Sequence, residues 1–128
     1  MNEAGAMRTQ RERFPELFPH LLLALLVLVF FSGLFSAGKT LAMRDTFCDF
    51  LPWRLFTGQA FASGHLPLWN PFDAFGKPFA ADSQTAVFYP LHAPFYSLSA
   101  AWALQLSWAL HLWIAGSSMF ALARLTRL

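Results

Sequence analysis

Leu21-Leu22-Leu23-Ala24-Leu25-Leu26-Val27-Leu28-Val29-Phe30-Phe31 is the stretch on which the fold of this 128-residue chain turns. It lies inside a longer run, residues 17–38, that contains no Asp, Glu, Lys or Arg. About 20 such residues, each rising about 1.5 Å, cross a hydrocarbon core of about 30 Å. The run therefore reads as a first transmembrane helix. A secretory signal peptide is the rival reading, because Arg8, Arg11 and Arg13 precede it. The run is longer than the usual apolar region of about 7–15 residues, and Phe35-Ser36-Ala37 is a poor small-x-small cleavage site. An uncleaved span is expected; cleavage near Gly38, releasing a secreted product, is the alternative.

Working outward, residues 1–16 are polar and read as a disordered cytoplasmic tail ending in a basic cluster. Residues 98–123 form the second long stretch without charge, less apolar than the first, with Gln105, Ser107, His111, Ser117 and Ser118 among Trp102, Trp108 and Trp113. It is long enough to span with tilt. Polar side chains inside a span turn toward other helices or a cavity, and Ala115-Gly116-Ser117-Ser118 is a small-residue patch of the kind that lets helices meet. Arg124 and Arg127 follow, in a cytoplasmic end formed by residues 124–128. Basic residues outside both spans place both termini in the cytoplasm. The expected fold is thus an all-α membrane protein, two transmembrane helices joined by a long extracytoplasmic loop, residues 39–97.

Composition agrees. Hydrophobic residues make up 56% and charged residues 12%, about half the usual charged share of a soluble domain. The net charge of +2 is too small and scattered for nucleic-acid binding. A single cysteine, Cys48, excludes an internal disulfide.

The loop carries Lys39, Arg44, Arg54 and Lys77 against Asp45, Asp49, Asp73 and Asp82, so it is neutral. Residues 45–63 read as a helix, with Asp45 or Asp49 as N-cap, Pro52 near its start and Gly64 at C′. Phe47, Phe50, Trp53, Phe56 and Phe61 are too many aromatics for a solvated helix, so an interfacial helix lying on the membrane is expected. Residues 66–94 hold too many Pro and Gly for regular structure. Seven aromatics in and just after this segment, Trp69, Phe72, Phe75, Phe79, Phe88, Tyr89 and Tyr96, are expected at headgroup level.

Spacing alone singles out few chemical candidates. Asp45 and Asp49 are four apart, hence on one helical face, where they can bind a divalent cation or supply a general base; equally, one caps the helix and the other is solvated. His65, His92 and His111 lack metal-ligand spacing, which argues against zinc. His111 lies within a span, where an ionisable group points to function or to a neutral imidazole bonded to a neighbouring helix. Arg44, Arg54 and Lys77 can hold a phosphate or simply meet lipid headgroups. No phosphate loop, nucleophile elbow or Cys/His pair is present.

Several motifs add to this. Arg44-Asp45, Phe50-Leu51-Pro52-Trp53-Arg54, Ser63-Gly64-His65-Leu66-Pro67-Leu68-Trp69-Asn70-Pro71, Gly76-Lys77-Pro78-Phe79, Ala81-Asp82-Ser83-Gln84 and Phe88-Tyr89-Pro90 follow one another in order. Together they resemble the opening of the bacterial YfhO-type membrane proteins. His111-Leu112, Ala115-Gly116 and Leu122-Ala123-Arg124 resemble that family's next helix. The resemblance implies a polytopic protein of the bacterial cytoplasmic membrane, similar to GT-C glycosyltransferases. Such enzymes take sugar from a polyprenyl-phosphate carrier and carry an acidic residue in the first outer loop. Asp45 matches that residue, which implies a catalytic base or a ligand for a divalent cation; Asp49, its candidate metal-binding companion by spacing, matches no family position. Arg44, Arg54, Asp82, Gln84, Tyr89 and His111 become the implied substrate-binding set, with Asn70 folding the loop and Gln84 making contact. Family members continue into many more helices, so the expectation is an amino-terminal fragment, inactive alone, whose partners are membrane lipid and those remaining helices. A small non-catalytic two-span protein packing against a larger membrane partner is the alternative.

Overall fold

The computed structural model describes residues 3–35 and 43–126, with side chains in the first helix from Leu17 onward. It is mostly helical, with little sheet. Helix α1 spans Glu3–Phe35, α2 Leu51–Ala62 and α3 Ala100–Thr126, and strands β1 (Trp69–Asn70) and β2 (Lys77–Pro78) form one short antiparallel pair. Two stretches, Leu17–Phe35 and Ala100–Thr126, are long and apolar enough to cross a membrane. Residues 36–38, which hold the alternative cleavage position, lie outside the described residues. From Glu3 onward the chain is helical, which corrects the disordered tail expected there. Ala, Met, Arg, Gln and Glu dominate that stretch, and all are good helix formers.

The chain divides into two units, residues 1–32 with 109–128, and residues 33–108. In the first, side chains connect α1 to α3. The Trp113 indole N–H donates to the His20 carbonyl at 2.9 Å, and the His20 ring meets Phe120 edge-on at 5.5 Å. Leu23 lies against Gly116, where an added Cβ would stand 3.6 Å away, at ordinary contact distance. The small-residue patch thus faces a helix of this same chain. Leu21, Leu25, Leu26 and Val29 stay exposed, which would be costly in water.

In the second unit the chain winds through a π turn, Thr46–Phe50, before α2. Pro52 explains the widening, since it has no N–H for the Cys48 carbonyl and the ordinary ladder lapses there. The Leu51 N–H instead reaches back five residues to Thr46. Asp45 precedes the turn with helical angles and makes no side-chain cap, and Phe50 occupies the N-cap of α2, so the capping role expected for Asp45 is not what the structure shows. At the other end the His65 N–H bonds to Ala60 and the Gly64 N–H to Phe61, a Schellman closure with Gly64 at φ +75°.

The core of this unit lies between α2 and the irregular segment after it. Phe79 is completely buried, packed with Trp53 and Val87, while Phe50, Phe56 and Phe61 close around them. Phe56 meets Phe79 edge-on at 5.0 Å, and Phe61 meets Tyr96 at 4.9 Å. Most aromatics of α2 are therefore covered by the loop itself. Among those expected at headgroup level, Phe79 and Tyr96 turn inward, whereas Phe72, Phe75 and Phe88 face out.

Candidate functional site

The best-built polar cluster of the described residues joins α2 to the β1–β2 hairpin. Pairing Trp69 with Pro78 and Asn70 with Lys77 brings Lys77 next to the connecting turn. There the Lys77 ammonium lies 2.9 Å from the Asp73 carboxylate and 3.3 Å from that of Asp82, and 4.5 Å over the Trp53 ring. The Trp53 indole N–H donates to Asp73 at 3.1 Å. Hydrogen bonds from Lys77 and then Trp53 hold the Asp73 carboxyl below its ordinary range. The Asp73 hydrogen bond raises Lys77 against the opposing effect of desolvation. Sequence reasoning named Lys77 and Asp82 for other roles and had no signal that the fold brings them together with Asp73 and Trp53.

Beside it is a cavity of about 380 Å³, lined by Cys48, Phe56, Gln59, Asn70, Phe72 and Asp73 among others. Aromatic faces with two amides and a carboxylate suit a ring-bearing polar ligand. The Asn70 side chain is buried and accepts from the Phe72 N–H at 3.0 Å, so it folds the turn.

The residues singled out from the sequence are not gathered at one point. Arg44 and Asp45 are exposed, and Asp49 is half-buried within the π turn. Among the described residues, no three His, Cys, Asp or Glu side chains assemble to hold a metal. Two carboxylates would leave most of the six to eight oxygen positions of a calcium ion to other ligands. Arg54 is only 8% exposed and donates to the Thr85 carbonyl at 3.0 Å. Desolvation lowers its pKa, while the neighbouring Tyr96 phenol favours the charged form. Its fork is thus turned into the fold, binding α2 to the segment that carries Asp82 and Gln84.

Asp82 caps the short turn Ser83–Thr85 by accepting from the Gln84 N–H at 3.0 Å, and the Gln84 residue itself is exposed. The Thr85 hydroxyl, fully buried, bonds to the carbonyls of Phe79 and Asp82. Tyr96, expected at headgroup level and not among the site candidates, instead donates toward the Ala86 and Val87 carbonyls, both at 3.0 Å. Burial raises its pKa, and Arg54 opposes that. Tyr89 meets the His92 ring edge-on at 4.9 Å and lines a second, largely apolar cavity with Phe61 and Pro90. His111 lies on α3 in the other unit, half-buried. Of the three cations proposed for a phosphate, Arg54 and Lys77 are engaged in folding, and Arg44 is the exposed one. Comparison with protein-family models, curated proteins and solved structures finds no match to this chain.

Proposed function

We propose that the chain supplies the first spans and first outer loop of a GT-C-like membrane glycosyltransferase of the bacterial cytoplasmic membrane, with both termini cytoplasmic. The donor is a sugar on a polyprenyl-phosphate carrier, the acceptor a cell-envelope component, and further helices complete the site. The ordered run of YfhO-type motifs carries this reading. Their buried members, among them Trp53, Arg54, Asn70 and Phe79, pack into one unit, which leaves Arg44 and Asp45 exposed in front of a π turn. Such turns are rare and occur frequently at functional sites.

In this reading Asp45 is the base that takes the proton of an acceptor hydroxyl, or a ligand for a divalent cation, with Arg44 near the carrier phosphate. A carboxylate close to the bilayer does either without leaving the interface where that phosphate lies. The test uses the natural full-length protein in its membrane. Asp45→Asn should abolish sugar transfer from the polyprenyl-phosphate donor with insertion unchanged, whereas Asp49→Asn should retain it. Transfer at the parent rate by Asp45→Asn would remove the catalytic assignment.

A further inference from the structure

The turn between β1 and β2, residues 71–76, is held in a strained shape that turns two phenylalanines outward. Ala74 and Phe75 both adopt positive φ, +50° and +62°, a conformation uncommon for residues other than glycine and one that persists only where surroundings enforce it. The enforcing contacts are visible. The Asn70 side chain accepts from the Phe72 N–H, the Gly76 N–H bonds to the Asp73 carbonyl at 2.8 Å, and Lys77 and Trp53 hold the Asp73 carboxylate. At Gly76, φ is +103° and an added Cβ would stand 2.8 Å from the Trp69 ring. Phe72 is nevertheless 87% exposed, Phe75 wholly so, and Trp69 more than half.

We infer that this turn is a membrane wedge, with Phe72 and Phe75 entering the boundary between headgroups and acyl chains of the bilayer crossed by the two apolar helices. The inference rests on the membrane reading above. Three observations favour lipid as the occupant. The chain enters the unit from Leu17–Phe35 and leaves it into Ala100–Thr126, so both ends of the unit continue into candidate spans. The single ionisable group of the turn, Asp73, is already compensated by Lys77, so no unpaired charge would meet hydrocarbon. Two phenylalanines offer about 300–500 Å², less than the ~800 Å² per partner of a stable protein interface. Transfer of each ring from water favours the inserted state by roughly tenfold to a hundredfold, and a Trp beside them suits the headgroup level.

The full-length chain, reconstituted in phosphatidylcholine–phosphatidylglycerol vesicles, provides the test. In a Cys48→Ser background, an environment-sensitive fluorophore is attached at Phe75→Cys and, separately, at Leu26→Cys. The probe at position 75 should be quenched by lipid-borne nitroxides at roughly 5–10 Å below the headgroup boundary and shielded from aqueous dithionite. If position 26 is quenched deep in the bilayer while position 75 is reduced by dithionite, the wedge is refuted and the membrane reading stands. Shielding at position 75 without lipid quenching shows a protein contact and also refutes the wedge. If position 26 itself reports water, the membrane reading fails, and the wedge with it.

Discussion

Asp73 stands where the turn, the strand pair and α2 meet, accepting from both Lys77 and Trp53. Because its folded pKa is depressed below the ordinary value of 3.8, its contribution is present above that value and is lost as pH falls through the depressed one. Lys77 works in the opposite sense. Its folded pKa is raised above 10.5, so its contribution is present below that value and disappears as pH rises through the raised one. The hairpin should therefore hold a constant shape across neutral pH and loosen at the acid end. Asp73→Asn should flatten that acid arm, as read from Trp fluorescence of the protein in bicelles between pH 2 and 7, a range chosen to bracket the ~3.9 of a free Asp. An unchanged acid arm would assign the loosening to another carboxylate.

At the scale of elements, α2 is held by a mixed contact, apolar through Trp53 and Phe79 and polar through Arg54 and Thr85. Phe79 has no exposed surface and touches both Trp53 and Phe56, so Phe79→Ala should destabilise the unit by about 3–5 kcal/mol. Denaturant unfolding followed by near-ultraviolet circular dichroism measures it; a loss below ~1 kcal/mol would mean that the site collapses freely around the cavity. The π turn before α2 was legible only in part. Pro52 announces that a backbone bond is missing, but whether the helix begins there or widens through it depends on what the preceding turn packs against. The Schellman end at Gly64 was legible because glycine accepts positive φ without a Cβ penalty. The compact core of Phe79, Val87 and Thr85 was not, since no periodicity in residues 66–94 indicates which aromatic turns inward.

For the molecule as a whole, the proposed topology has its own test. A periplasmic alkaline phosphatase fused after residue 97 should be active, and one fused after residue 128 inactive, as the basic residues outside the two apolar stretches require; the reverse pattern would invert the arrangement and place Asp45 on the cytoplasmic side. The two long apolar helices were set by the sequence alone, because about 20 residues without charge satisfy their backbone only as a helix when removed from water. The sequence also determined that the intervening loop carries every Asp of the chain. Only the tertiary structure decided which of these groups remain available. Arg54, Lys77, Asp73 and Asp82 are drawn into bonds with partners up to 31 residues away, and Arg44 and Asp45 are left exposed. Burying the Arg54 charge is tolerable only beside a partner, and the Thr85 carbonyl, like the carboxylates that meet the partly exposed Lys77, is supplied by how the loop folds back on α2, which no local spacing encodes.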